Sequence, residues 1–254
     1  MPGKKQLQRI LKLVFNKKNN VKGNIPLHFF ENKIGIEIGG PTELFQNLIP
    51  IYKIAAEIDG CNFSCNTIWE GNIVKGNTYD YSGNKKGVQY ISEASDLREI
   101  ETGKYDFLLA SHCLEHCANS IKTIEEWLRV VKPGGCLLII LPEKKNTFDH
   151  RRNVTTFRHL LDDYKNNVQE NDLTHLSEIL KLHDLSMDIA AGDEINFRKR
   201  SYNNFTNRCL HHHVFDFSLL RQIFNYFKVE IRNEQWLPPY HQIVVVEKSH
   251  KSID

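Results

Sequence analysis

The sequence predicts an α/β fold in which a mostly parallel sheet carries helices on both faces. Three observations support this. Short apolar runs alternate with segments of helical period. The first run ends in a glycine turn, and carboxylates sit at or just past the ends of the next two.

The runs that read as strands are residues 33–38, 52–58, 88–91, 105–110 and 136–141. Between the last two, Ile121, Ile124, Trp127, Leu128 and Val131 form an apolar stripe at helical spacing over residues 119–132. Asn119 or Ser120 can cap its start, and Pro133-Gly134-Gly135 ends it. From residue 142 to 213 the chain turns polar and rich in His, Asp, Asn and Arg, with two expected helices at 155–164 and 173–182. This stretch is too long for a simple connection, so an insertion over the carboxyl edge of the sheet is expected. A helix at 217–226 and strands at 228–232 and 242–247 follow, the two strands joined by a short turn at Pro238-Pro239.

With 254 residues, the chain suits one sizeable domain with an insertion. A hydrophobic content of 41% with 25% charged residues is ordinary for a globular protein. No run approaches the roughly 18–20 apolar residues of a membrane span, so no transmembrane segment and a cytoplasmic location are expected. Seven of the 33 basic residues fall in the first 22, ahead of the first acid, Glu31. The remainder therefore has fewer basic residues than its 31 acidic ones, which disfavours a nucleic-acid partner. The basic stretch has Leu7, Ile10, Leu11 and Val14 at helical spacing. It reads as a solvated lead-in, with contact to an anionic membrane surface or a partner as the alternative. Cys61/Cys65 and Cys113/Cys117 have the C-x3-C spacing of some zinc sites. Cys113 and Cys117 fall where a helix should leave the sheet, however, so reduced cysteines are expected.

Ligands of such sheets bind beyond the carboxyl ends of the strands. The first strand ends in Glu37-Ile38-Gly39-Gly40-Pro41-Thr42. Glycines there allow a sharp turn close to a ligand, and Glu37 can meet a cationic group such as the amino group or sulfonium of S-adenosylmethionine. A dinucleotide would call for the full G-x-G-x-x-G, which is lacking. Asp59, about twenty residues downstream, reads as a bidentate acceptor for ribose hydroxyls. Glu93, with Ala94 beside it and Asp96 as second choice, suits the adenine amine.

These residues, together with Tyr105-Asp106-Phe107, Ser111-His112-Cys113-Leu114-Glu115-His116 and the block from Leu128 to Gly135, make the chain resemble a class I S-adenosylmethionine-dependent methyltransferase of the broad small-molecule group, type 11-like. The resemblance covers roughly residues 33–142 and the terminal helix–strand–strand segment. It implies a Rossmann-like seven-stranded sheet of order 3-2-1-4-5-7-6, with its last strand antiparallel. With the charge and composition readings above, this gives residues 1–30 as lead-in and 31–254 as the methyltransferase domain, with 142–213 expected to cap the acceptor side. The usual third glycine of the turn is here Pro41. More narrowly, Asn66–Gly71, Thr147–Arg152 and Asn207–Asp216 resemble an uncharacterised His-rich bacterial subgroup. Its association with surface-polysaccharide functions favours a sugar or nucleotide-linked sugar as acceptor.

Methyl transfer to oxygen or nitrogen needs alignment and often a base, a task that suits histidine near neutral pH. His112 and His150 are the expected bases, with Asp149 orienting its neighbour and Ser111 at the cofactor. His116 is expected to pack or cap. His159, His175, His183-Asp184 and His211-His212-His213 read as a polar acceptor pocket. A metal site drawing on them with Asp149 or Asp184 is a second reading, and no metal ligand is assigned. Arg151 and Arg152 suit a phosphate or carboxylate clamp. Tyr240-His241 suits the rim, and the 66–71 segment is expected to fold over the cofactor. A catalytically inactive cofactor-binding partner, a nucleotide-dependent oxidoreductase and a nucleic-acid methyltransferase are the weaker readings. The last lacks the Asn/Asp-Pro-Pro-aromatic signature after strand four.

Overall fold

A computed structural model describes residues 25–83 and 85–250, so the amphipathic stretch of the first 22 residues lies outside the described residues. The main sheet has eight strands: β1 (Ile34–Ile38), β2 (Glu57–Asn62), β5 (Gly76–Asp80), β6 (Lys86–Ile91), β7 (Tyr105–Ser111), β8 (Val131–Pro142), β9 (Glu230–Leu237) and β10 (His241–Glu247). Two short strands, β3 (Asn66–Thr67) and β4 (Gly71–Asn72), form a separate hairpin. The order across the sheet is β5-β6-β2-β1-β7-β8-β10-β9. Leaving out β5, this is the expected 3-2-1-4-5-7-6 arrangement, and β10 runs antiparallel to both its neighbours. The eighth strand, β5, adds antiparallel to β6 at the edge.

The second strand lies five residues later than expected. Pro50 precedes a one-turn helix, α1 (Ile51–Ile54), which buries Ile51 and Tyr52. A short apolar run fits either state, and proline sits readily at a helix start. The shift moves Asp59 from the end of β2 to its middle.

Helices α2 (Ser120–Val130), α3 (Phe157–Lys165) and α7 (Phe217–Tyr226) bury Trp127, Leu160 and Phe224 against one face of the sheet. Asn119 caps α2 by accepting from the Lys122 amide. Among the described residues the other face carries no long helix and is covered largely by Ile25, Phe30, Phe45, Ile51 and Tyr52. The insertion carries α3, which packs on the sheet, and α4 (Leu176–Leu182), α5 (Glu194–Tyr202) and α6 (Asn204–Asn207), with α4 and α5 sharing a small core of their own. The last two helices were not expected, because α5 buries only Phe197 and Ser201 and so shows no apolar stripe.

Tyr79 on β5 is fully buried over Gly60 of β2, whose added Cβ would stand 2.0 Å from the ring. The bare glycine lets the ring cross β2 and reach Glu37, the residue paired with Gly60 on β1. Overpacking of this kind costs about 1–3 kcal/mol. Gly60→Ala is therefore predicted to lower the urea midpoint by that amount of stability, and an unchanged midpoint would contradict the packing described.

Candidate functional site

A cavity of about 590 Å³ opens at the carboxyl ends of β1, β2, β6 and β7 beneath the insertion, a size usual for small-molecule sites. Its floor includes Gly39, Pro41 and Thr42 from the turn after β1, Asn62 and Phe63 after β2, and Glu93 and Ala94 after β6. Ser111, His112 and His116 follow β7, and His241 comes from the start of β10. The β3–β4 hairpin contributes Ile68, Trp69 and Glu70, as expected for the 66–71 segment, and the Trp69 indole donates to Asn62 Oδ1 at 3.2 Å.

The glycine turn is built around Glu37. The carboxylate is fully buried and accepts from the hydroxyls of Tyr52 (2.6 Å) and Tyr79 (2.7 Å). Its Oε1 has no hydrogen-bond partner. Tyr52 in turn accepts from the Thr42 amide at 2.8 Å, which pins the turn. Gly39 is in the left-handed region at φ +82°, and a Cβ on Gly40 would lie 2.2 Å from Glu37. Burial pushes the Glu37 carboxyl up to about 7, against the two tyrosine hydrogen bonds. Glu37 therefore does not line the cavity as expected but shapes the turn from beneath, and Gly40 likewise sits behind the wall.

Asp59 is a second correction. Buried in mid-strand, it accepts from the Val88 amide (2.7 Å) and the Tyr105 hydroxyl (2.6 Å), with Lys104 at 3.2 Å. These bonds tie β2 to β6 and β7, and the polar group at the end of β2 is Asn62, whose amide donates to the Gly40 carbonyl at 2.9 Å. Glu93 and Ala94 reach the cavity as expected. The Trp127 indole holds the Ala94 carbonyl at 3.1 Å, and Arg208 donates to Glu93 at 2.6 Å and to Glu170 at 2.7 Å. Asp96 turns away and pairs with the exposed Arg98.

His112 and Ser111 stand at the cavity as expected. His112 holds a left-handed φ of +50°, an uncommon conformation for a non-glycine residue. Its Nε2 is 2.9 Å from His241 Nδ1, and its Nδ1 is 3.3 Å from the buried Glu115. Burial, then His112, pushes the His241 imidazole down to about 3.

His150 does not line the cavity; its Nε2 pairs with Asp184 Oδ2 at 2.9 Å, alongside Arg151. Asp149 orients a different histidine. Its Oδ2 lies 2.5 Å from His211 Nδ1, and its Oδ1 accepts from Arg152 at 2.9 Å. Arg152 is buried and also donates to the carbonyls of His211 and His212, so it supports the insertion and is no ligand clamp. Burial opposes charge on His211, but the Asp149 carboxylate more than offsets it, so the imidazole holds a proton more tightly than usual. His116, which hydrogen-bonds the Leu210 carbonyl at 2.9 Å, is pushed down to about 4 by burial and then by His211. Sequence reasoning placed His211 in the acceptor pocket but did not pair it with Asp149, because the two lie 62 residues apart. It also missed Arg200, which reaches the cavity with Nε unpartnered while one amino group pairs with Asp188 at 2.6 Å.

Residues 46–139 match the family described as "Methyltransferase domain". Solved structures of similar fold include a putative S-adenosylmethionine-dependent methyltransferase from Listeria monocytogenes, at 14% identity and a TM-score of 0.50, covering 90% of this chain and 95% of that one. A SAM-dependent methyltransferase from Aquifex aeolicus has 12% identity and a TM-score of 0.47, covering 94% of this chain and 88% of that one. One from Methanosarcina mazei has 15% identity and a TM-score of 0.48, covering 89% of this chain and 99% of that one. No curated protein matches the chain. At such identities the structural likeness is one of fold. Residues 46–139 thus carry a methyltransferase domain on this doubly wound sheet, which supports S-adenosylmethionine-dependent methyl transfer as the activity. The observed site suits that cofactor through its lining: Gly39 of the turn lies at the cavity floor, with Asn62, Glu93 and Ser111 at the ends of the neighbouring strands. Among the described residues no helix is long and apolar enough to cross a membrane.

A buried carboxyl raised from 4.5 to about 7 favours the folded state below the lower value, and that contribution is lost as pH rises through the upper one. Glu37→Gln removes the titration. Chemical unfolding of the cofactor-free proteins should therefore show the wild type losing stability relative to the variant across that window. Parallel profiles would contradict the assignment.

Proposed function

We propose that the protein transfers a methyl group from S-adenosylmethionine to an oxygen or nitrogen of a small polar acceptor, with His211 accepting the acceptor's proton. The observation that carries this reading is the buried Asp149–His211 pair at the cavity wall. When bound, S-adenosylmethionine supplies an electrophilic methyl group. Gly39, Asn62, Glu93, Ala94 and Ser111 would hold the cofactor, with Glu37 fixing the turn. Asp149 accepts from His211 Nδ1–H and fixes the tautomer, which leaves Nε2 to take the proton from the acceptor. Against burial, His211 and then Arg152 hold the Asp149 carboxyl below the usual carboxylate range, while His112 and His241 form a polar wall near the end of β7.

The acceptor class we favour is a sugar or nucleotide-linked sugar bearing an anionic group. Arg200 supports this choice, because its side chain reaches the cavity, where a guanidinium can donate to a phosphate or carboxylate.

The test is release of S-adenosylhomocysteine on incubation with a panel of nucleotide sugars and sugar acids. Loss of a general base costs about 10²–10⁴-fold in turnover. His211→Ala and Asp149→Asn should lower kcat by that factor while leaving cofactor affinity intact, and His150→Ala should change kcat less than threefold. Full turnover by His211→Ala would overturn the assignment.

A further inference from the structure

Four side chains of the insertion converge on one point away from the cofactor cavity. His159 and Asp163 stand one turn apart on α3, His175 directly precedes α4, and His213 ends the 211–213 segment. His159 Nε2 is 3.0 Å from His175 Nε2 and 3.3 Å from Asp163 Oδ2, and His213 Nε2 is 3.0 Å from the same oxygen. All four ligand atoms lie within 4.8 Å of one another. Four ligands placed tetrahedrally at about 2.0–2.1 Å from a zinc ion stand roughly 3.3 Å apart, close to the separations seen here.

Hydrogen bonding alone is a poor account of this arrangement. Two imidazole nitrogens crowd one carboxylate oxygen, and one of the two also faces the His175 nitrogen. The far side of one ring is anchored as metal-bound histidines usually are: His213 Nδ1 is 3.0 Å from Ser120 Oγ on α2. His213 itself is buried, and none of the four residues lines the cavity. Nitrogen-rich donors disfavour calcium and magnesium, which take oxygen ligands.

We propose that His159, Asp163, His175 and His213 bind a structural zinc ion that fastens α3, the start of α4 and the 211–213 segment to one another. Four protein ligands close the coordination sphere, so the ion is a staple and not a reagent. The insertion needs one because its own buried cluster is small: Leu176, Ile179, Ala191, Phe197 and Leu210. The ligands differ from the set expected from sequence, since Asp163 takes the place given to Asp149 or Asp184. The site is independent of the methyl-transfer reading.

The experiment is elemental analysis of the full-length protein, purified from zinc-supplemented medium and dialysed against metal-free buffer. One zinc per chain is expected, together with a melting temperature that falls on chelation. Cobalt substitution should give the intense visible bands of a tetrahedral site. His159→Ala, at the most exposed ligand, and Asp163→Asn should each lower the retained metal at least tenfold. His116→Ala should retain it, and this variant separates the site from the neighbouring Glu115–His116–His211 group, whose ligand atoms also cluster. If folded wild-type protein carries no stoichiometric metal, or if metal is lost from His116→Ala and kept in His159→Ala, the proposal is wrong.

Discussion

The structure depends most on a buried guanidinium. Arg152 is almost wholly excluded from solvent, and it gathers Asp149, Glu178 and the carbonyls of His211 and His212 around itself. A buried charge survives only when its partners are well placed, and removing one of them costs about 3–5 kcal/mol. Through this centre the turn after β8, the start of α4 and the 211–213 segment share one geometry. His211 is thereby turned to the cavity and His213 to the four-ligand cluster.

The cavity has two halves with different physics. The sheet half rests on backbone: a left-handed glycine, a bare glycine under which a carboxylate is buried, and strand ends in fixed parallel register. The insertion half rests on charge pairs. Arg208 takes an uncommon left-handed φ of +51° and spans Glu93 and Glu170, with its guanidinium over Phe63 and Phe205. Burial pushes Glu170 up to about 7, even with Arg208 lowering it. The insertion is thus joined to the cofactor side through a small number of buried polar contacts that cross long sequence distances.

That division decides what could be read from the chain. The glycine turn, Glu93-Ala94 and Ser111-His112 were legible because they sit at strand ends marked by local periodicity, whereas the strand order came from the family resemblance. Asp59 was misplaced because the apolar run at 52–58 reads alike as strand or helix, and Pro50 resolves it only in the folded chain. The roles of Asp149, His150 and Arg152 were not legible. Each depends on a partner at least 26 residues away, Asp149 on His211, His150 on Asp184 and Arg152 on Glu178, which spacing along the sequence does not reveal.

The central claim is that the cavity beneath the insertion holds S-adenosylmethionine against the glycine turn. Calorimetric titration with S-adenosylhomocysteine tests it most directly, using the wild type and a Gly40→Ala variant whose added Cβ would meet Glu37. The account predicts saturable one-to-one binding to the wild type, competition by S-adenosylmethionine, and marked weakening in the variant. Absence of binding to wild-type protein shown to be folded would contradict it.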